Sequence, residues 1–184
     1  MRIDKLASGE LARFRALRLE ALRDAPEAFG TTWGQASKWP ESRWSELFNS
    51  MVVFIAGVGD EDVGMLRGGS EGGSARLGSL WVRRDARRRG VAATLIEAVT
   101  DWATSEGYER LMLQVGVHQA AARRLYEEAG FAGVGKPISY PPPQDQLSKL
   151  TMARRSRDHG ARCGGRGSRP PATAPSPRTG RRSR

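Results

Sequence analysis

Three consecutive arginines, followed by small residues, stand between a predicted strand and a predicted helix. The segment is Arg87, Arg88, Arg89, Gly90, Val91 and Ala92. The first N–H groups of a helix lack intrahelical partners, and the helix dipole presents its positive end there. Gly90 has no Cβ to obstruct a ligand, and the arginines add cationic hydrogen-bond donors. The segment therefore has the chemistry of a phosphate site, although a solvated basic turn would account for the same residues.

A strand, a helix and a strand surround this segment. Residues 75–82 and 110–115 read as strands, and four apolar residues between them fall on one helical face: Val91, Leu95, Val99 and Trp102. Such a crossover joins parallel strands, so the sheet must contain at least one parallel pair. A second helix is predicted over residues 120–129, and Gly130 suits its left-handed cap.

The remaining elements are predicted on both sides of this unit. Ser8 is expected to cap a helix that Pro26 stops, and residues 29–48 read as a loop followed by a short helix from residue 41. Residues 68–74, rich in Gly and Ser, are expected to form a turn. The remaining predicted strands cover residues 51–58, 63–67, 131–134 and 147–153. Together the pattern indicates an α/β domain with a mixed sheet.

Two segments resemble motifs of one family. The spacing Arg87-x-x-Gly90-x-Ala92 resembles the pyrophosphate loop Gln/Arg-x-x-Gly-x-Gly/Ala of the Gcn5-related N-acetyltransferase (GNAT) family. Further on, Gln119-x-x-Ala122-x-x-Leu125-Tyr126-Glu127-Glu128-x-Gly130-Phe131 resembles the family segment Asn-x-x-Ala-x-x-Leu-Tyr-Glu-Lys-x-Gly-Phe. The resemblance covers residues 7–152. It implies a mixed, mostly antiparallel central sheet flanked by helices.

The resemblance also implies an activity and a cofactor. Members of the family transfer an acetyl group from acetyl-CoA to an amine, so we expect the acceptor to be a primary amine of a small molecule or peptide. Residues 87–92 would hold the pyrophosphate, while the backbone near Leu80 and Val82 and the side chain of Gln119 would contact the pantetheine arm. Tyr126 would protonate the departing thiolate, although its ring could instead serve only the core.

The base that deprotonates the amine is not evident from the sequence. Ribosomal-protein N-terminal acetyltransferases of this family have a glutamate twelve residues before the tyrosine, and this chain has Gln114 there. A glutamine cannot accept a proton at neutral pH, so that mechanism is in doubt here. Histidine side chains have pKa values near neutrality, so His118 could act as the base, although such a histidine is more often an ordinary loop residue.

The acceptor pocket is expected from two segments, residues 25–44 and 136–146, because the family usually builds it from the equivalent segments. Glu27 and Glu41 could attract a cationic amine, although exposed glutamates are common on any surface. The acceptor itself cannot be named from these residues.

The basic character of the chain is confined to its C-terminal end. The net charge is +10 over 184 residues, but residues 154–184 hold ten arginines and one acidic residue. Residues 1–153 carry 20 basic and 19 acidic residues and are close to neutral. Beyond Met152 the chain consists mainly of Arg, Gly, Pro and Ser, which predicts a disordered tail. We expect one acetyltransferase domain over residues 1–153 and a tail over residues 154–184.

The tail leaves other functions open. Its arginines could neutralise phosphates, but it has no aromatic residue to stack on bases, so nucleic-acid binding should be unspecific. Arginine outnumbers lysine 26 to 4, and an extended reading frame in a GC-rich genome would yield such a tail by accident. The alternatives to an enzyme are therefore a domain that binds acetyl-CoA with little activity, and a protein whose tail binds nucleic acid or a partner.

Several other classes are disfavoured by composition. The single Cys163 cannot form an internal disulfide, and His118 and His159 lack the spacing of metal ligands, so we expect no metal. The N-terminus lacks the apolar stretch of a secretion signal, and the longest apolar run is too short to span a bilayer. We expect a cytoplasmic protein without a membrane partner. The sequence is compatible with either a monomer or a homodimer.

Overall fold

The computed structural model describes residues 1–139 and 146–156. Its helices are α1 (Leu11–Asp24), α2 (Trp33–Ala36), α3 (Glu41–Asn49), α4 (Val91–Ser105) and α5 (Ala120–Glu128), with 3-10 turns at Pro26–Ala28 and Arg84–Ala86. Its strands are β1 (Arg2–Lys5), β2 (Val52–Val58), β3 (Glu61–Glu71), β4 (Ser74–Val82), β5 (Arg110–Gly116), β6 (Ala132–Ser139) and β7 (Ser148–Arg155). The expected N-cap of the first helix, Ser8, is not its N-cap, because the helix begins two residues later and Glu10 takes that position.

In the described part of the chain, the strands form one sheet in the order β1-β2-β3-β4-β5-β7-β6. Only β4 and β5 run parallel, and α4 supplies the crossover that such a pair requires. The other neighbours pair antiparallel. The expectation of a mixed, mostly antiparallel sheet flanked by helices is confirmed.

Two buried clusters lie on opposite faces of this sheet. On one face, α4 packs its apolar positions Leu95, Ile96 and Val99 against the strands, and Tyr126 of α5 joins the same cluster. On the other face, Phe14 of α1 and Trp44 of α3 are fully buried. The two cores fix α1 on one side of the sheet and the N-terminus of α4 on the other.

Residues 68–71 continue a strand, where a turn was expected. A Cβ on Gly68 would lie 2.8 Å from a ring carbon of Trp102, so the glycine lets α4 approach the sheet closely. The turn is limited to Gly72 and Gly73, which both have positive φ. The Gly-rich composition of this segment therefore reflects close packing as well as turn formation.

Two short elements were absent from the sequence prediction. The edge strand β1 has no fully buried residue, and it forms because β2 offers it an unpaired edge along Gly57 to Phe54. The helix α2 spans four residues and is held by a capping box between Thr32 and Gln35. Elements this short carry too few residues for an apolar period to be visible.

The strand β7 runs two residues past the expected domain end at residue 153. Arg154 Nη1 donates to the carbonyl of Ala129 at 2.5 Å, and its Nη2 donates to Thr100 Oγ1 at 2.9 Å. The first arginine assigned to the tail thus joins α4, α5 and the sheet. Residues 157–184 lie outside the described residues, and the disordered tail stays a prediction.

Candidate active site

The sheet opens between its two parallel strands. Strands β4 and β5 are paired only at Ala75 with Leu111 and at Arg76 with Met112. Near the middle of β4 the register to β3 shifts, and Ser79 adopts a φ of 61°, a left-handed conformation that is rare for serine. This bulge turns the second half of β4 away from β5. Leu80 and Val82, the expected contacts of the pantetheine arm, both lie on this diverging half.

The Arg-rich loop stands at the end of the diverging half of β4. Arg88 has a φ of 62° and Gly90 a φ of 81°, and Gly90 occupies the N-cap of α4. No side chain caps this helix, and its first turn contains no acidic residue. Alternation of left-handed residues turns successive N–H groups toward one point, the arrangement that binds anions. The loop therefore has both the backbone and the charge of a phosphate site.

The three arginines of this loop have different surroundings. Arg87 Nε donates to the carbonyl of Val82 at 2.8 Å, and its Nη2 donates to the carboxylate of Asp24. Arg88 and Arg89 are exposed, and within residues 1–139 and 146–156 neither has an ion-pair partner. Arg87 therefore shapes the loop, and the other two are available to a ligand.

Asp24, the last residue of α1, joins three elements. Its carboxylate accepts hydrogen bonds from Trp81 Nε1 at 3.0 Å and Arg84 Nε at 2.5 Å, in addition to Arg87. Burial raises the pKa of Asp24, but the hydrogen bonds from Trp81 and Arg84 and the charges of Arg87 and Arg84 outweigh it and lower the pKa below its usual value. Sequence reasoning missed this residue. An acid at a helix C-terminus opposes the dipole, which is a signal that cationic partners lie nearby.

Tyr126 lies in α5 and is 8% exposed. Its ring packs edge-on against Phe131, with 5.9 Å between centroids, and burial raises the pKa of its hydroxyl. Among the described residues the hydroxyl has no hydrogen-bond partner. The residue thus packs in the core and still keeps a protonated donor at neutral pH.

Gln119 occupies the N-cap position of α5, just past the end of β5. Its Nε2 donates to the carbonyl of Glu27 at 3.3 Å, and its Oε1 accepts from the N–H of Gly116 at 3.3 Å. Both groups of the amide are therefore engaged inside the protein. The methylene that distinguishes it from the family's asparagine provides the reach to Glu27, on the segment that follows α1.

The two residues considered for base catalysis lie on and after β5. Gln114 is half-buried and pairs with Thr151 of β7. His118 is exposed, and its ring covers Gly116, where a Cβ would lie 2.6 Å from His118 Cε1. The structure thus gives His118 a defined position at the end of β5, on the side of the opening opposite β4.

The expected acceptor segments are partly described. In residues 25–44, Phe29 is buried, while Glu27 and Glu41 are exposed. In the second segment, residues 140–145 lie outside the described residues. Segment 24–28 is bound at both ends, through Asp24 to the Arg-rich loop and through the Glu27 carbonyl to Gln119. It therefore joins the ends of the two diverging strands.

Within residues 1–139 and 146–156, no group of three or more His, Cys, Asp or Glu side chains is placed to hold a metal ion. None of the helices described is long and apolar enough to cross a membrane.

A sheet that opens between two parallel strands, with an anion-binding loop at the opening, forms a cleft suited to an extended phosphorylated ligand. The chain belongs to the acetyltransferase (GNAT) family, whose model matches residues 17–131. The resemblance seen in the two sequence motifs is thereby confirmed.

Individual proteins extend this comparison. Human N-acetyltransferase 8 is 34% identical over 61 residues, which are 33% of this chain and only 27% of the human protein. An acetyltransferase of the GNAT family from Streptococcus pneumoniae superposes with a TM-score of 0.70 and 16% identity, covering 84% of this chain and 98% of that one. A putative acetyltransferase from Salmonella typhimurium, solved with its cofactor acetyl-CoA, has a TM-score of 0.66 and 18% identity over 90% and 99% of the two chains. These structures share the fold.

Proposed function

We propose that this chain is an N-acetyltransferase that transfers an acetyl group from acetyl-CoA to a primary amine of a small molecule or peptide. The observation that carries the proposal is the continuous path from the bulge at Ser79, along the diverging half of β4, to the left-handed residues Arg88 and Gly90. Membership of the acetyltransferase family supports it.

The residues along this path fit acetyl-CoA. The N–H groups at the start of α4, with the side chains of Arg88 and Arg89, would hold the pyrophosphate. The backbone of Leu80 and Val82 would hold the pantetheine arm, since β5 does not pair with this part of β4. The Salmonella relative of the same fold carries acetyl-CoA, which supports this assignment. When bound, the cofactor supplies an acetyl thioester.

Tyr126 is proposed to protonate the leaving thiolate. Its raised pKa keeps the hydroxyl protonated at neutral pH, and its lack of a hydrogen-bond partner among the described residues leaves the proton available. The acceptor must lose a proton too, which for a lysine-like amine at pH 7 costs on the order of 4–5 kcal/mol. His118, at the end of β5, is our candidate for assisting that step.

Calorimetry with acetyl-CoA, followed by release of free CoA over a panel of amines, tests this function. We expect saturable binding at micromolar to millimolar cofactor and turnover that requires an added amine. Binding without turnover for any amine would favour the alternative of a cofactor-binding domain with little activity. No binding at millimolar cofactor would reject both.

The tail is the basis of the second alternative, in which residues beyond the domain bind nucleic acid or a partner. Because β7 ends at Arg155, the informative truncation removes residues 157–184 and keeps Arg154 in place. We expect the truncated chain to keep its melting temperature and its affinity for acetyl-CoA. Loss of either would assign the tail to the folded domain, and salt-sensitive DNA binding by the full chain alone would support a role for the tail.

A further inference from the structure

Two arginines on the α1 side of the sheet are buried without an acidic partner. Arg18 of α1 is 7% exposed, and Arg67 of β3 is 6% exposed. In the described part of the chain neither forms an ion pair, whereas Arg13, Arg83 and Arg87 all do. Burying a charge without a partner is costly, so the location of these two groups calls for an explanation.

The groups that surround the two guanidiniums compensate them weakly. The Arg18 guanidinium lies 4.2 Å from the ring centroid of Phe29, and that of Arg67 lies 5.7 Å from the ring of Phe14. Arg67 Nη2 contacts the sulfur of Met51 at 2.7 Å. Arg18 Nη1 and Arg67 Nε have no hydrogen-bond partner among the described residues. Aromatic faces and a thioether replace only part of the hydration that a buried guanidinium loses.

The two guanidiniums also repel each other. Burial lowers the pKa of Arg67 to about 10, and burial together with the charge of Arg67 lowers the pKa of Arg18 to about 10. Both groups nevertheless remain charged at neutral pH. A bound anion would relieve the repulsion and accept hydrogen bonds from the guanidinium N–H groups that it contacts.

Space for such an anion lies next to Arg67. In the ladder between β3 and β4, Arg67 stands directly opposite Gly78, so both positions face the same side of the sheet. A Cβ on Gly78 would meet no atom within 4 Å. Ser79, where the bulge begins, is the next residue. Arg67 therefore borders open space beside the bulge, on the side of the sheet that carries α1.

We propose that Arg18 and Arg67 together bind an oxyanion of the acceptor, so that the acceptor is an amine that also carries a carboxylate or phosphate group. Phe29, which packs on Arg18, belongs to the segment expected to line the acceptor pocket, and the bulge beside Arg67 leads directly to Leu80. An anion held by the two guanidiniums would place the attached amine near the bulge at Ser79, where the proposed path of acetyl-CoA along β4 begins. The inference rests on the proposed function and narrows its substrate class.

Matched acceptors test the proposal on the full chain. Each amino acid is compared with its neutral carboxamide, and an aminoalkyl phosphate is compared with the corresponding amino alcohol. We expect kcat/KM to favour one anionic series by about tenfold or more, and Arg18→Gln and Arg67→Gln to remove that preference through KM. Arg15→Gln is the matched control, since Arg15 lies on the same helix over Trp44 and should leave the preference intact. Equal use of neutral and anionic acceptors, or a preference that survives both substitutions, would overturn the inference.

A second measurement does not depend on turnover. Acetate and inorganic phosphate, added separately, should raise the melting temperature of the wild-type chain more than that of Arg67→Gln, because only the wild type has the complete oxyanion site. The anion-binding loop at α4 is present in both and contributes equally. Identical anion responses would contradict the site. If the chain does not bind acetyl-CoA but the anions still raise the melting temperature of the wild type more than that of Arg67→Gln, the proposed function is rejected and the oxyanion site is supported.

Discussion

The proposed donor region and the proposed acceptor region of this molecule are built in different ways. At the donor end, the loop at Arg88 to Gly90 and the diverging half of β4 offer mainly backbone groups, with exposed arginines around them. At the acceptor side, Arg18 and Arg67 offer buried side-chain charges beneath aromatic rings. The first arrangement suits a ligand that is the same in every member of a family, such as a shared cofactor. The second depends on individual side chains and so can differ between members of one family.

The difference also separates the energetic consequences of substitution. A backbone site is disrupted mainly by changes in conformation, whereas a buried charge site is disrupted by removal of one side chain. Variants of the two regions should therefore affect different kinetic constants.

The largest effect is expected at Tyr126, which is proposed to act in the reaction more than in the binding of either substrate. Tyr126→Phe keeps the ring against Phe131 and removes only the hydroxyl, which has no hydrogen-bond partner among the described residues. We expect kcat to fall about 100-fold or more, as for loss of a general acid, with little change in the affinity for acetyl-CoA. Steady-state kinetics and calorimetry measure the two effects. An unchanged kcat would leave Tyr126 with a packing role alone.

The next effect concerns the donor region. Gly90→Val places a β-branched residue at a φ of 81°, which costs about 1–3 kcal/mol and should weaken acetyl-CoA binding about 10- to 100-fold. Gly107→Val is the matched control, because Gly107 has a φ of 80° and follows the other end of the same helix. Both variants should lose melting temperature, and only Gly90→Val should lose cofactor affinity. Equal loss of affinity in the two would mean that the loop acts through helix stability alone.

The backbone conformation of the proposed donor region could be predicted from the sequence, because a site made of backbone groups leaves a pattern of residue types. The spacing of Arg87, Gly90 and Ala92 reflects where a left-handed residue and a small residue are required, and such requirements fall on neighbouring positions. The crossover helix could be predicted from its apolar face. The bulge at Ser79 could not, because a serine with positive φ has no sequence signature and is imposed by the pairing with β3.

The acceptor region could not be predicted because it depends on contacts between distant parts of the chain. The nearby arginines of α1, Arg13 and Arg15, are only half-buried, so residue type does not distinguish Arg18, and Arg67 lies in a strand that was expected to end at that residue. Only tertiary packing shows that both guanidiniums are buried in one region. The same holds for Asp24 and Arg87, which are separated by 63 positions along the chain.

A substitution at Asp24 should affect both regions at once. Asp24→Asn removes the charge that holds Arg84 and Arg87, so we expect about tenfold weaker acetyl-CoA binding, a higher acceptor KM and a loss of on the order of 1–2 kcal/mol of stability. Arg124→Gln, at an exposed ion pair with Glu128 on α5, is the control and should change none of these. An effect confined to one substrate would show that Asp24 does not connect the two regions.

The pH dependence of stability in the same variant tests whether the charge of Asp24 stabilises the fold. The pKa of Asp24 is lower in the folded chain than in the unfolded chain, so its contribution is present above its unfolded pKa of about 3.9 and is lost as pH falls through the folded value. The difference in unfolding free energy between wild type and Asp24→Asn should therefore be largest at neutral pH and shrink below about pH 4. Denaturant unfolding at several pH values measures it. A constant difference would show that the charge of Asp24 is not what stabilises this contact.

The smallest effect is expected at Gln119, which the sequence assigned to the cofactor and the structure connects to the Glu27 carbonyl. Gln119→Asn shortens the side chain and should lose this hydrogen bond, which is already long at 3.3 Å. If the contact serves the acceptor side, the acceptor KM should rise about two- to fivefold, equivalent to about 0.5–1 kcal/mol, while acetyl-CoA binds at least as tightly as before. Gln119→Ala, which removes both hydrogen bonds, should show the same acceptor effect. If Gln119→Asn binds acetyl-CoA more weakly and its acceptor KM is unchanged, Gln119 contacts the cofactor and not the acceptor.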